Sequence, residues 1–385
     1  MAERIRVLVA TIKFAGGGAE RVIGTFLKHV DRSRFEPGLV IFRDERTYDI
    51  PADVPVWVVK KTRPWHIPRV ILQISRIIQE WRPDVLYSHL ALANLCAGLA
   101  VKIAGRPVCW TPVQHLNPGD EIPFWWRTVF GRILNTASTV IAVSRGVGAD
   151  LPQSYRLPAS RIRVIYNPVD FDAIDRVLMI PPLPRPPRPT IINLARLAPE
   201  KDQETLLRAF CRVRQAVDAD LVIVGEGHSR TDLEELAAKL GLREYVSMPG
   251  WDTQPFARLR QSDVFVLSSK AGEALPTALI EAMACGVPSV STRCRFGPDE
   301  IIEDGLSGLL VPICDADALA QAIIRVLQNP SWAADIAQKG CQRVRALFSA
   351  RQQVPEVEGL FVRLLASRIS ESRAVSGKPV KENVP

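Results

Sequence analysis

The 385-residue sequence has no cysteine pattern that would support a disulfide framework or a zinc site. Its cysteines are odd in number, and neither a Cys-x-x-Cys pair nor a Cys/His cluster with metal-ligand spacing occurs. They are scattered among apolar neighbours, at Cys96, Cys109, Cys211, Cys285, Cys294, Cys314 and Cys341. We expect reduced, buried thiols in a reducing compartment.

Long apolar runs are missing as well. No uncharged apolar stretch reaches the roughly 18 residues that identify a membrane-spanning helix. The chain starts with a strand-like pattern and shows no charged start followed by an apolar signal core. We therefore expect a cytoplasmic protein that does not cross a membrane.

Positive charge is concentrated in one half of the chain. Residues 1–180 carry 24 Lys and Arg against 16 Asp and Glu, whereas residues 181–385 carry 25 of each. This asymmetry suggests an anionic partner for the first half, and composition alone permits either nucleic acid or an anionic membrane surface. The sequence contains neither a known nucleic-acid-binding module nor an aromatic–basic platform, which disfavours nucleic acid.

Short apolar runs alternate with helix-length amphipathic segments, which predicts parallel sheets built from α/β units. A proline-rich stretch at 181–189 enters neither a helix nor a central strand, so we interpret it as a linker. It would separate an amino-terminal domain over 1–180 from a second domain over 190–350. A helical segment over 351–369 follows, and the polar residues 370–385 are predicted to form a disordered tail.

Two acids eight residues apart mark the stretch from Leu267 to Pro288. A predicted strand ends at Leu267, a polar loop carries Glu273, and Pro276 suits the first turn of a helix that carries Glu281. A helix start after a parallel strand favours a phosphate, and ligands of open α/β sheets bind at this edge. The segment thus predicts a diphosphate site flanked by two carboxylates, although two isolated glutamates are more often solvated surface acids.

In its wider context this segment resembles the signature of the family 4 retaining glycosyltransferases. The Glu-x7-Glu element is followed by Ala-Met-Ala-Cys-Gly-Val-Pro. Other elements of the family pattern occur in order: Gly17-Gly18-Ala19-Glu20-Arg21, Val143-Ser144, Tyr166-Asn167-Pro168-Val169-Asp170, Ala195-Arg196-Leu197 through Lys201-Asp202, Val224-Gly225-Glu226-Gly227, and Gly297 through Ile302. The resemblance covers nearly the whole chain. It implies the α/β GT-B fold, with two Rossmann-like domains whose parallel sheets face each other across a cleft and a final helix that packs back onto the first domain.

The resemblance also implies a donor site in the second domain. Glu273 would contact hydroxyls of the donor hexose, Glu281 would bind the ribose hydroxyls, and Arg196 and Lys201 would grip the diphosphate. Fixed cations suit this reaction because the leaving diphosphate gains charge in the transition state, so neither a metal nor another cofactor is expected. The backbone that follows the first acid would also contact the donor, at Ala274, Leu275, Pro276 and Thr277. Many relatives have glycine where this chain has Ala274, which would be strained if that position needs a positive φ.

The glycine-rich segment after the first strand is expected to face the donor from the other domain. A dinucleotide-binding loop would need a third glycine where Arg21 stands, so a nicotinamide site is disfavoured. In the family, glycines at Gly17 and Gly18 let backbone N–H groups approach the donor. His115 matches a cleft histidine near the reacting sugar, and His89 is a weaker candidate of the same kind; a lone histidine is more often structural.

Two further patterns allow a functional and a structural interpretation. The Asp-x-Asp pairs at 218–220 and 315–317 match a cation-binding motif of another transferase fold, but we interpret them as a turn and a helix cap. The segment 122–134 carries Trp125, Trp126, Arg127 and Arg132, which suit a helix at the surface of an anionic membrane. An amphipathic helix packed on the sheet explains the same residues.

The resemblance implies an enzyme that moves a hexose or N-acetylhexosamine from a nucleotide-sugar to a glycan or lipid-linked acceptor, and only the resemblance implies that the configuration is retained. A UDP-sugar is the preferred donor and GDP-mannose stays open. The setting would be assembly of bacterial polysaccharide or lipid-linked glycan, at the inner face of the cell membrane if the tryptophan helix binds lipid. The alternatives are a UDP-sugar 2-epimerase of the same fold and a non-catalytic nucleotide-sugar-binding subunit.

Overall fold

The computed structural model describes residues 4–61, 63–115, 122–181, 186–252 and 255–376. These residues form two β-sheets, and every pair of neighbouring strands in them is parallel. The first sheet has the order β3-β2-β1-β4-β5-β6-β7. Its strands are β1 Ile5–Thr11, β2 Phe35–Ile41, β3 Val56–Val58, β4 Val85–His89, β5 Cys109–Gln114, β6 Val140–Ala142 and β7 Ile162–Val164.

The second sheet has the order β10-β9-β8-β11-β12-β13. Its strands are β8 Thr190–Leu194, β9 Asp220–Val224, β10 Val246–Gly250, β11 Val264–Leu267, β12 Ser289–Thr292 and β13 Leu309–Val311. The central strands are buried apolar runs, as expected of parallel sheets covered by helices on both faces.

Helices cover both sheets. Those of the first domain are α1 Gly18–His29, α2 Ile67–Trp81, α3 Ala91–Ala104, α4 Phe124–Leu134, α5 Arg145–Tyr155 and α6 Phe171–Met179. Those of the second are α7 Gln203–Ala216, α8 Arg230–Lys239, α9 Pro255–Arg260, α10 Thr277–Ala284, α11 Pro298–Ile301, α12 Ala316–Gln328 and α13 Pro330–Phe348. The α/β GT-B architecture is therefore the observed one.

A last helix, α14 Ala350–Ser376, lies against the first domain. The ring of Phe361 contacts Phe26 of α1 and Tyr87 of β4, at centroid distances of 6.3 and 5.3 Å. The Glu358 carboxylate accepts a hydrogen bond from the Asp31 backbone N–H, at 2.8 Å. The prediction for the tail needs a correction, because residues 370–376 continue this helix; residues 377–385 lie outside the described part. The predicted linker falls between α6 and β8, and its residues 182–185 also lie outside it.

The strand order reverses once in each sheet, between β1 and β4 and between β8 and β11. At such a switch point the loops that leave the two strands diverge and open a crevice at the carboxyl ends. The loops after these four strands carry Gly17, Leu90, Arg196 and Glu273. The topology therefore places the predicted site at two facing crevices.

Candidate active site

A cleft of about 590 Å³ is lined by both domains at the carboxyl ends of their central strands. The residues predicted for a donor site lie around it: Gly17, Gly18, His115, Arg196, Lys201, Glu273, Ala274, Leu275, Pro276, Thr277 and Glu281. The structure thus brings together residues that are up to 264 positions apart in sequence.

Glu273 is buried in the loop after β11, where it has a cation and a hydroxyl as partners. Its Oε1 atom accepts hydrogen bonds from Lys201 Nζ at 2.6 Å and from Ser269 Oγ at 2.7 Å. The positive φ in this loop belongs to Gly272, at 73°, and Ala274 is absent from the described residues with positive φ. Ala274 therefore fits the loop without the strain that a positive φ would impose.

Arg196 and Lys201 lie in the loop after β8. The Arg196 side chain is 68% exposed and pairs with Glu200 at 2.5 Å. The loop lies so close to the one after β9 that a Cβ atom on Gly225 would be 2.0 Å from the Ala195 carbonyl oxygen. Gly225 permits this approach because it has no side chain and can adopt a φ of 144°. It therefore determines where the Arg196 backbone lies.

The first turns of α1 and α10 meet across the cleft. A Cβ atom on Gly18 would lie 3.1 Å from Thr277 Oγ1, so the two domains are nearly in contact there. Gly17 precedes α1 and Pro276 precedes α10, and neither can cap its helix with a side chain. Both helix starts therefore present N–H groups and positive dipole ends to the cleft, which is a favourable setting for an anion.

Glu281, on α10, is only 3% exposed and is bound by a residue from the other domain. Arg21 Nη1 lies 2.5 Å from Glu281 Oε1. The guanidinium also lies over the rings of Tyr48 and Phe256, at 5.9 and 5.8 Å from their centroids. The charge of Glu281 raises the pKa of Arg21 above its ordinary value. In the sequence, Arg21 is the last residue of a glycine-rich family element and the residue that breaks a dinucleotide-binding pattern, and neither feature indicates this contact.

His115 and His89 form a buried pair at the ends of adjacent strands. Nδ1 of His89 lies 2.7 Å from Nε2 of His115, and the two rings stack with centroids 5.0 Å apart. Burial lowers the pKa of His115 to about 3. Burial, followed by the charge of His115, lowers the pKa of His89 well below its ordinary value. Both rings are therefore neutral near pH 7, and His115 faces the cleft as a hydrogen-bonding group rather than as a cation.

The comparisons with known proteins agree with this arrangement. A model described as Glycosyltransferase Family 4 matches residues 16–173, and one described as Glycosyl transferases group 1 matches residues 180–343. A GDP-mannose-dependent phosphatidylinositol monomannoside mannosyltransferase of Mycolicibacterium smegmatis is 32% identical over 290 residues, which are 71% of this chain and 75% of the relative. The chain therefore belongs to the glycosyltransferase family that these two models describe.

Other relatives of the transferase cover more of its length. A Campylobacter jejuni enzyme, N-acetylgalactosamine-N,N'-diacetylbacillosaminyl-diphospho-undecaprenol 4-alpha-N-acetylgalactosaminyltransferase, is 24% identical over 86% of this chain and 92% of its own. Among solved structures, a glycosyltransferase of Rickettsia africae superposes with a TM-score of 0.80 at 20% identity, over 94% of this chain and 99% of that one. Anabaena HepE in complex with UDP-glucose superposes with a TM-score of 0.77 at 22% sequence identity, over 96% of this chain and 100% of that one. These two structures show that the fold is shared.

The four residues predicted for membrane or acceptor contact lie outside the cleft, on α4. Trp125 and Trp126 are 63% and 43% exposed, and Arg132 is exposed as well. Arg127 is half-buried, and its Nε donates to the Ile122 carbonyl at 3.2 Å. The opposite side of α4 is buried through Phe130. The helix therefore packs on the domain and also presents aromatic side chains to solvent.

The Asp-x-Asp pairs have structural partners. Asp315 caps α12 by accepting from the Ala318 N–H, as predicted, and Asp218 and Asp220 both pair with Arg188. Over the described ranges there is no cluster of three or more His, Cys, Asp or Glu side chains placed to hold a metal ion. Within the same ranges, none of the helices has the length and apolarity needed to span a bilayer.

Proposed function

We propose that this glycosyltransferase transfers a hexose or N-acetylhexosamine from a nucleotide-sugar, preferably a UDP-sugar, with retention of configuration. The acceptor is a hydroxyl of a glycan or lipid-linked saccharide. The observation that carries the proposal is the shared cleft, in which two helix starts and the cation Lys201 surround a space flanked by Glu273 and Glu281.

The polarity of the cleft fits a nucleoside diphosphate bound along α10. The diphosphate would lie at the start of α10, within reach of Arg196 and Lys201. Glu281 would accept hydrogen bonds from the ribose hydroxyls, and Glu273 would accept them from the sugar. Charge that develops on the leaving diphosphate is stabilised by fixed donors and cations, so the reaction is proposed to need no metal.

The known partners of similar proteins support the same ligand classes. HepE of Anabaena has been crystallised with UDP and with UDP-glucose, and the Campylobacter relative is named for an undecaprenol-diphosphate-linked acceptor. The Mycolicibacterium relative is named as GDP-mannose-dependent, which keeps GDP-mannose as the alternative donor.

The donor proposal is tested by calorimetric titration of EDTA-treated protein with UDP, GDP and ADP. We expect metal-free, micromolar binding of one nucleoside diphosphate, and loss of that binding in the Arg196→Ala/Lys201→Ala variant. Arg208→Ala is the matched control, because this exposed arginine pairs with Glu204 on α7. Absence of nucleotide binding in the wild type, or binding that requires added metal, would contradict the proposal.

The reaction itself is tested with the nucleotide-sugar that corresponds to the bound nucleotide. In the presence of a lipid-linked acceptor we expect a glycosylated product whose anomeric configuration, read by proton NMR, matches that of the donor. Inversion would refute retention. Release of a free epimerised sugar without any acceptor would replace transfer by a 2-epimerase reaction.

The exposed side of α4 supports peripheral contact with an anionic membrane. Trp125, Trp126 and Val129 are exposed there, with Arg132 one turn further along. Rings of this kind insert at the headgroup level while arginines bind phosphates. Flotation with phosphatidylglycerol vesicles tests the contact: Trp125→Ser/Trp126→Ser should lose binding, and Met179→Ser, another exposed apolar position in this domain, should retain it. Equal flotation of both variants would refute the contact.

A further inference from the structure

The ion pair between Arg21 and Glu281 joins the two domains inside the cleft. Arg21 lies on the first turn of α1, and Glu281 lies 260 positions later on α10. The Arg21 side chain is 29% exposed and that of Glu281 only 4%. Both residues line the cleft. The pair is therefore part of the wall that a nucleotide would contact.

A buried carboxylate of this kind needs a fixed counter-charge. Removing an ionised group from water is costly, and the cost is offset only by a well-placed partner. Arg21 supplies that partner at 2.5 Å through a single Nη1–Oε1 contact. A carboxylate has about four acceptor positions, so this contact leaves Glu281 able to accept further hydrogen bonds.

Arg21 is itself held in place from both domains. Its guanidinium lies over the rings of Tyr48 of the first domain and Phe256 of α9, within the range of cation–π contacts. Tyr48 in turn donates from its hydroxyl to the Gly17 carbonyl, at 3.3 Å. The guanidinium thus connects the glycine-rich segment before α1 with the acid on α10.

We infer that Arg21 is a positioning residue for nucleotide recognition: it fixes the direction of the Glu281 carboxylate so that this carboxylate can accept hydrogen bonds from the two ribose hydroxyls. The inference rests on the proposed function, which places the ribose at Glu281. It extends that proposal, because one of the two side chains that form the ribose site, Arg21, belongs to the first domain. Without Arg21 the carboxylate is expected to turn toward water, and ribose recognition is lost while the diphosphate contacts remain.

The test compares UDP with 2′,3′-dideoxy-UDP, or the corresponding GDP pair if GDP is the nucleotide that binds. In the Arg21→Gln variant we expect UDP to bind at least about tenfold more weakly, as the loss of charge-assisted hydrogen bonds implies, and dideoxy-UDP to bind within about twofold of wild type. The unchanged dideoxy-UDP affinity also shows that the variant is folded. In a Glu281→Gln background the same Arg21→Gln substitution should have no further effect on UDP.

Lys13→Gln is the matched control, because Lys13 is another cation that lines the cleft and it pairs with Glu45 rather than with Glu281. It should leave the ratio of the two affinities unchanged. Equal losses for UDP and dideoxy-UDP in Arg21→Gln would mean that Arg21 acts on the diphosphate. Tighter UDP binding would mean that Arg21 occupies the ribose site, and unchanged UDP binding would mean that the ion pair is only structural. Each of these three results would overturn the inference about Arg21 and leave the proposed function standing. A wild type that binds no nucleoside diphosphate would overturn the proposed function as well.

Discussion

The Nδ1 atom of His89 is within hydrogen-bonding distance of the Nε2 atom of His115, and the two rings are stacked and buried where β4 and β5 end. A hydrogen bond between two neutral imidazoles needs one ring to donate and the other to accept. Protonation of either ring in the folded state would place a charge in a buried site without a described carboxylate partner. The pair therefore links the stability of the first domain to pH.

We predict that the free energy of unfolding decreases as the pH falls below about 6.5. Histidine in the unfolded chain titrates near 6.5, whereas burial lowers the pKa of His115 to about 3 and that of His89 well below its ordinary value. Between these values the unfolded chain binds more protons than the folded one, so the stability present above pH 6.5 is lost on acidification. Each histidine contributes a slope of up to about 1.4 kcal/mol per pH unit.

Urea unfolding between pH 5 and 8 measures this slope. His115→Asn should reduce the slope relative to wild type, and the difference between the two curves isolates the histidine from the acids of the chain. His228→Asn, at an exposed position, should give the wild-type slope. If His115→Asn leaves the slope unchanged, the pair does not titrate as the buried geometry implies.

Lys201 is predicted to act more on turnover than on donor binding. Its Nζ lies 2.6 Å from Glu273 Oε1, so it is fixed beside the position proposed for the reacting sugar. Fixed cations stabilise the charge that develops on the leaving group, and the loss of one such donor costs about 10²–10³ in kcat. Lys201→Ala should therefore lower kcat by at least about 100-fold while the donor Kd rises less than about tenfold. Lys270→Ala, which removes an exposed cation near Asp202, is the control; equal effects on kcat and Kd would refute the assignment.

Gly225 is predicted to be intolerant of any side chain. A Cβ atom there would lie 2.0 Å from the Ala195 carbonyl oxygen, and φ is 144°. Gly225→Ala should therefore lower the free energy of unfolding by about 3 kcal/mol, because the clash and the backbone strain add. It should also weaken nucleotide binding, since the loop that carries Arg196 must move. Gly241 also has a positive φ, but a Cβ atom added there would meet no other heavy atom within 4 Å. Gly241→Ala should therefore lower the free energy of unfolding by only about 1 kcal/mol. Equal losses in the two variants, measured by urea unfolding, would contradict this account.

Much of this fold could be predicted from the sequence, and the exceptions have physical causes. The predicted alternation of apolar strands and amphipathic helices is the one observed, because buried parallel strands are continuous apolar runs. The edge strands Ile162–Val164 and Leu309–Val311 are not indicated by the sequence pattern, and both are only three residues long. The first of these also contains Arg163 and is largely exposed.

The site was predictable where its residues share one loop or helix start. Glu273 and Glu281 fall on one strand–loop–helix unit, so their proximity follows from local structure. Arg21 and Glu281 meet only because two domains face each other, and no local pattern in either segment indicates the contact. The contact between His89 and His115 could be predicted only in part. Both residues lie at the ends of neighbouring parallel strands, but the sequence does not give the register in which these strands pair.

Glu300 is predicted to hold the two domains in their observed orientation. From α11 of the second domain, its carboxylate accepts hydrogen bonds from the backbone N–H groups of Arg145 and Gly146, both at 2.9 Å, at the start of α5 in the first domain. The Tyr166 hydroxyl donates to the same carboxylate at 3.0 Å. Glu300 thus acts as a capping group supplied by the other domain, and such caps contribute about 1 kcal/mol.

The Glu300→Ala variant should lose this cap and allow a wider range of domain orientations. We expect a larger radius of gyration in small-angle X-ray scattering and a kcat reduced several-fold, because catalysis needs both domains aligned at the cleft. Donor affinity should change less, since most of the proposed donor contacts belong to the second domain. Glu303→Ala is the control, because Glu303 is exposed and pairs with Arg343 within the second domain at 3.6 Å. If scattering and kcat are the same in Glu300→Ala as in that control, the orientation is set by other contacts, such as the Arg295–Asp150 pair at 2.8 Å.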